Sequence, residues 1–197
     1  MSFFRAPPKV PSRADVDACL KVSDNEDSAR DHLLIAVAAN TGLRVHELVA
    51  LNWGQVLTDT GAVRHRVALL PADTKGSIGG DIILNESVRW KLTRYKTWCS
   101  RRELAVAGDV PLFVSRNHRR LSVRMAQEVW KAVQKRAQLE TIHHFHALRH
   151  YFGTEIYRAT KDIRVTQVLL RHQSVSSTQI YAHVSARDVE AAVEKLT

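Results

Sequence analysis

Near the end of the chain, in "LLRHQSVSSTQIYAHV" (Leu169–Val184), Tyr181 follows His172 by nine residues, and Arg171 stands beside the histidine. A tyrosine of ordinary pKa is only about 0.1% phenolate at pH 7, so a nucleophilic role demands a neighbouring base or a strongly cationic surround. Taken alone, the segment more often means a packing aromatic with a wet hydroxyl. Upstream, "HFHALRHYFGTEIY" (His144–Tyr157) sets Phe145, Leu148, Phe152 and Ile156 on one helical stripe facing the core. His146, Arg149 and Gly153 form the neighbouring stripe, so a histidine and an arginine project beside a position without a side chain. His146 and His150 also have the spacing of a zinc-binding histidine pair, but Ala147 occupies the place where the HExxH motif needs a glutamate base. No metal site is expected, and a zinc hydrolase is excluded on that residue.

Two further segments carry charge in suggestive places. In "TGLRVHELVALNW" (Thr41–Trp53), Arg44 and Glu47 share a helix face while Leu43, Leu48 and Leu51 take buried positions. A surface ion pair would give the same spacing. Lys75 lies in "TKGSIGGD", where Gly76, Gly79 and Gly80 permit a loop excursion that could bring an ammonium to a ligand.

The elements that must hold these residues are mostly helical. Helices are read over Ser12–Val22, opened by a Ser with Asp three residues on, and over Ala29–Gly42, closed by the glycine. A short helix over "LRVHELVALNW" follows, then Glu86 to about Glu103, Val123 to about Leu139, Ala147 to about Thr160, Ile163 to Arg171, and two short C-terminal segments. Between them, "VRHRVALL" and "DIIL" bracket the turn-rich "PADTKGSIGG" and predict a β-hairpin, Val63–Leu70 with Asp81–Leu84. The fold class is mainly α with a small antiparallel β-sheet (α+β), in one domain.

The chain has 197 residues, with 45% hydrophobic and 25% charged, a globular composition. No apolar run approaches the roughly 18 residues of a membrane span, and Pro7, Pro8 and Pro11 break the N-terminus before a signal-peptide core can form. Cys19 and Cys99 belong to no CxxC pair, so a reducing, cytoplasmic compartment is expected. Twenty-nine Lys and Arg against 20 Asp and Glu leave a formal charge of +9, partly concentrated in "RNHRR" (Arg116–Arg120), and point to a polyanion such as nucleic acid.

Taken in order, "TGLRVHEL", the hairpin "TKG", "HALRH", "LLRH" and "TQIYAHV" resemble the catalytic domain of the tyrosine recombinases, the lambda-integrase-like phage integrase family, over nearly the whole chain. That resemblance implies Arg44 and Arg149 as the clamp on the scissile phosphate, Lys75 as general acid, His146 and His172 as active-site histidines, Glu47 as support for Arg44, and Tyr181 as nucleophile. It implies a site-specific DNA strand transferase working through a 3′-phosphotyrosyl intermediate without metal, ATP or other cofactor. The implied partners are a double-stranded DNA recombination site and further protomers, as a tetramer on DNA.

Arg171 departs from the family pattern, which has glycine before the downstream histidine, and the hairpin is less basic than usual, with Asp81 close to the lysine. The resemblance also divides the chain into a linker-like segment (1–11), a catalytic domain (12–184) and a tail helix (185–197) exchanged between protomers. The family's N-terminal DNA-binding domain has no counterpart here, so a catalytic fragment of a longer recombinase is expected. A type IB topoisomerase shares the chemistry but fits "LLRHQS" and "TQIYAHV" less well. A non-catalytic DNA-binding module would not need the arginines and tyrosine together.

Overall fold

The computed structural model describes residues 9–69, 80–182 and 194. Helix α1 (Arg13–Ser23) opens on a reciprocal cap: the Ser12 hydroxyl accepts from the Asp15 N–H at 3.1 Å, and the Asp15 carboxylate accepts from the Ser12 N–H at 2.8 Å. Helix α2 (Ala29–Thr41) is apolar over most of its circumference, and Leu33, Leu34, Ile35, Ala36, Val37 and Ala38 are all buried. Such a helix belongs at the centre of a bundle; α2 packs against α1, α5 (Glu86–Arg101), α6 (Val123–Arg136) and α7 (Ala147–Thr160). Full burial of each of its larger aliphatic side chains contributes about 1.5–3 kcal/mol.

Gly42 ends α2 in the left-handed region at φ 62°, and a Cβ there would lie 2.5 Å from Phe152 Cδ1. Both conformation and space therefore require glycine. The chain turns at once into α3 (Val45–Ala50) and α4 (Trp53–Val56). Arg120 fastens the end of α3, its Nη1 donating to the carbonyls of Val49 and Ala50 and its Nη2 to Asn52 Oδ1. One member of the basic "RNHRR" loop is thus committed to a helix C-terminus.

Strands β1 (Arg66–Leu69) and β2 (Gly80–Ile83) pair antiparallel, Val67 opposite Ile82 and Leu69 opposite Gly80. The hairpin is shorter than its β-branched pattern predicts. Val63 instead bridges Leu57, and Leu84 leaves the strand although its N–H still donates to the His65 carbonyl at 2.8 Å. Alternate residues Val67, Leu69 and Ile82 face the core. Asp81 pairs with Arg66 across the strands at 3.1 Å. Lys75 and the rest of the hairpin tip lie outside the described residues.

Helix α5 starts at the Asn85 cap and carries Tyr95, whose ring stacks between Trp53 (5.8 Å) and Trp98 (5.4 Å). Ser122 caps α6 and Asp162 caps α8 (Ile163–Leu170). The chain beyond α8 makes two 3₁₀ turns, Val175–Ser177 and Gln179–Tyr181. The expected tail helix over 185–197 falls outside the described residues except for Glu194, as does 1–8 of the linker-like segment. Among the described residues no helix is long and apolar enough to cross a membrane.

Candidate active site

Arg44, Arg149 and Tyr181 come from three separate parts of the fold, and the C-termini of α2 and α8 bring them together. Arg149, on the first turn of α7, is 2% exposed. Its Nη1 donates to the Gly42 carbonyl at 2.6 Å and its Nη2 to the Leu170 carbonyl. These carbonyls are the orphan acceptors of two helix ends, so the guanidinium closes both and is aimed by them. Among the described residues it has no carboxylate within ion-pair distance. Burial, and then the Arg44 and Arg171 charges, bring its pKa down to about 10. A buried cation without an anionic partner is costly, and a bound anion would remove that cost.

Arg44 is the N-cap residue of α3, and Glu47 is its counterpart. The Glu47 carboxylate accepts from the Arg44 N–H at 2.8 Å and from Arg44 Nη1 at 2.9 Å. The Glu47 side chain is fully buried, whereas 30% of the Arg44 side chain remains exposed. One edge of this guanidinium is fixed and the other is open. Burial alone would raise the Glu47 pKa; the Arg171 charge and the hydrogen bonds from Arg44 outweigh it and hold the group below its ordinary value.

Tyr181 ends the last 3₁₀ turn and is 5% exposed. Its ring fills the space left by Gly153 of α7: a Cβ at Gly153 would lie 2.8 Å from Tyr181 Cζ and 2.9 Å from Leu170 Cδ1. The position without a side chain is a cradle for the tyrosine. The hydroxyl lies 2.9 Å from His150 Nδ1. Burial raises the phenol to about 12, against a smaller opposing pull from Arg149.

His172 follows the C-terminus of α8, with its ring near-parallel to Tyr181 at 6.5 Å and its Nδ1 2.9 Å from Thr178 Oγ1. Gln167 secures its backbone, Nε2 donating to the His172 carbonyl at 3.0 Å. His146 sits at the N-cap of α7, exposed, with its ring edge-on to His150 at 4.7 Å. Desolvation leads in lowering the pKa of the half-buried His150 and His172, to about 4, and lowers that of His146 despite its outward position, with neighbouring positive groups adding to it. The His150 and His172 rings are therefore neutral at pH 7. Among the described residues no cluster of three or more His, Cys, Asp or Glu side chains could hold a metal ion.

Of the residues singled out from the sequence, Arg44, Glu47, Arg149, His172 and Tyr181 meet here, with His146 at the rim. The two members of the His146–Arg149 stripe part company: His146 is exposed and Arg149 is buried among carbonyls. His150, read from the sequence only as half of a zinc pair, is the side chain that touches the tyrosine hydroxyl. Its place four residues after His146, one turn along the same helix face, was the available signal.

A comparison with protein families matches residues 12–188 to the Phage integrase family. The chain belongs to the phage integrase family. Among curated relatives, this family member is 32% identical over 195 residues to tyrosine recombinase XerC of Pseudomonas fluorescens strain Pf-5, covering 94% of this chain and 62% of that protein. It is 34% identical over 165 residues to tyrosine recombinase XerD of Neisseria meningitidis serogroup B, covering 83% of this chain and 53% of that protein. It thus spans a little over half to about three-fifths of these relatives. In fold it resembles the XerH site-specific recombinase bound to its difH substrate in a pre-cleavage complex, at TM-score 0.78 and 22% identity over 98% of this chain and 56% of that one. The XerA recombinase gives TM-score 0.75 at 24% identity, over 97% of this chain and 64% of that chain.

Proposed function

We propose that this chain is the catalytic domain of a site-specific DNA recombinase, a DNA strand transferase that cleaves and rejoins strands through Tyr181. The observation that carries the reading is Arg149: a buried guanidinium with no carboxylate in ion-pair distance among the described residues, electrostatically coupled to Arg44 and Tyr181. That is a site built for an anion that arrives with the substrate. The names of the family's relatives support a phosphodiester of DNA as that anion.

In this reading Arg44 and Arg149 hold the nonbridging oxygens of the scissile phosphate, where their fixed charge acts most strongly as charge accumulates in the pentacoordinate transition state. Tyr181 Oη attacks phosphorus, the bond to the 5′-oxygen breaks, and a 3′-phosphotyrosyl link remains. Lys75 gives its proton to the leaving oxygen. His172, its Nδ1 engaged by Thr178, presents Nε2 to the phosphate, and His146, edge-on to His150 at the rim, hydrogen-bonds the same phosphate. The 5′-hydroxyl of a partner strand then reverses the step. Bond energy is retained in the phosphotyrosyl link, so rejoining needs no nucleotide.

His150 receives the tyrosine proton in this scheme. With Tyr181 at about 12 and His150 at about 4, transfer in the DNA-free protein is uphill by on the order of 10 kcal/mol. The free enzyme therefore holds its nucleophile protonated. A phosphate charge entering beside the histidines raises their pKa and the phenol's alike, so the proton leaves Tyr181 as its oxygen bonds to phosphorus. Strand exchange needs two pairs of ends, so the reading brings with it further protomers on the DNA, as a tetramer, in the cytoplasm.

The test is covalent capture. The protein is incubated with a pool of random-sequence duplexes, each nicked in one strand, and adducts that survive denaturant are sequenced. The expected outcome is one captured sequence family with the wild type and no adduct with Tyr181→Phe. An adduct formed by Tyr181→Phe overturns the assignment. Binding to uncaptured duplex should weaken with salt at a log-log slope of about −0.9 per phosphate contacted.

A further inference from the structure

Arg171 is the residue whose conformation and partners the scheme above leaves unused. It ends α8 in the left-handed region, φ 53° and ψ 44°, where an L side chain costs about 1–2 kcal/mol and glycine costs nothing. A strained non-glycine residue persists only where its surroundings fix it. Here they do. The Arg171 side chain is 9% exposed, and its Nη2 donates to Glu47 Oε2 at 2.7 Å, across 124 residues of chain. Its Cδ lies against the first residue of β2, where a Cβ on Gly80 would be only 2.9 Å away.

Glu47 is thus shared. Its carboxylate accepts from the backbone and guanidinium of Arg44 and from the guanidinium of Arg171, and it has no exposed surface through which water could serve it. If Arg44 were the sole cation on Glu47, the pair would be neutral and Arg149 would face the substrate as a single charge. With Arg171 satisfying Glu47, the cluster of three arginines and one carboxylate carries two net positive charges. Arg171 itself is buried and engaged, so its effect passes through the carboxylate.

We propose that Arg171 is a positioning residue for the phosphate site. It takes up the charge of Glu47, leaves Arg44 and Arg149 as two uncompensated cations for the incoming phosphate, and ties the base of the β1–β2 hairpin to that cluster through Gly80. The inference rests on the reading of Arg44 and Arg149 as phosphate ligands.

Inorganic sulfate serves as the probe, a dianion whose charge does not change near neutral pH. The rise in Tm with sulfate, at ionic strength held constant with sodium chloride, gives its binding midpoint. Arg171→Met should raise that midpoint about tenfold, and Arg171→Lys less, since a point charge remains near the carboxylate. Arg171→Met combined with Glu47→Gln removes one charge of each sign and should return the midpoint to within about threefold of wild type. A packing role alone would not produce that recovery. Glu47→Gln by itself should bind sulfate at least as tightly as wild type, a measurement that does not depend on Arg171→Met folding.

A wild-type midpoint in Arg171→Met, a double variant no better than Arg171→Met, or weaker binding by Glu47→Gln overturns the proposal. Arg149→Met separates the two levels. If it keeps the full sulfate response, the phosphate-site reading itself fails. If it abolishes the response while Arg171→Met binds like wild type, only the role of Arg171 fails.

Discussion

Replacing Gly153 by alanine adds one methyl group at the point where Tyr181, the proposed nucleophile, is seated. The new carbon would stand 2.8 Å from Tyr181 Cζ, 3.0 Å from Cε1 and 2.9 Å from Leu170 Cδ1. Carbon atoms pack at about 3.5–4.0 Å, so the ring or the helix must yield by about 1 Å. Tyr181 sits in a single 3₁₀ turn, and α7 is anchored by Arg149 to two other helices. The tyrosine is therefore the part that moves, and its hydroxyl leaves His150, now 2.9 Å away. Stability changes little, because alanine gains about 1 kcal/mol of helix propensity over glycine while overpacking costs about 1–3 kcal/mol. Activity changes much more: a displacement of about 1 Å at the reacting atom costs about 10²-fold in rate. The assay is single-turnover formation of the protein–DNA adduct on the captured sequence, beside a thermal melt of the same sample. A variant that cleaves within threefold of wild type refutes the cradle, as does one that loses activity only because it has unfolded.

Two other perturbations follow from the same geometry. Arg149→Lys keeps one charge but cannot span the Gly42 and Leu170 carbonyls, and adduct formation should fall about 10²–10³-fold; wild-type cleavage would show that the paired carbonyl contacts do not aim the group. His150 and His172 have folded pKa values of about 4, below the roughly 6.5 of an unfolded histidine. Their contribution is therefore complete above pH 6.5 and is lost as pH falls toward 4, by up to about 1.4 kcal/mol per pH unit for each ring before solvent screening reduces it. Melting temperatures over that window should decline, and less steeply for His150→Phe; an unchanged slope would mean that this ring is not held neutral by the fold.

Local signals are legible in the sequence and tertiary ones are not. The Ser12–Asp15 cap, the glycine end of α2 and the helical periodicity from Glu86 onward depend on neighbours within a turn or two, and each appears in the structure within a few residues of its predicted place. The hairpin shrank because Val63 found a partner in Leu57, a contact set by how α4 folds back. Tyr181 and His150 are 31 residues apart, on a 3₁₀ turn and an α-helix, and no periodicity links them. Arg149 has the pattern of a polar-face residue, yet two helix ends converge on it and bury it. At Arg171 the sequence marks an unexpected residue; only the backbone angle and the reach to Glu47 show what the substitution does.

The bonds that organise the site are also among the longest loops the chain closes: Arg149 to Gly42 spans 107 residues and Arg171 to Glu47 spans 124. Contacts of such separation are entropically the most expensive to form and tend to come late in folding. Tyr181 is synthesised after nearly everything it depends on, and a chain that is incomplete, nicked between these segments or only partly collapsed holds the arginines apart. On the proposed function, strand cleavage would in this sense belong to the finished fold alone, and a half-made molecule would lack it.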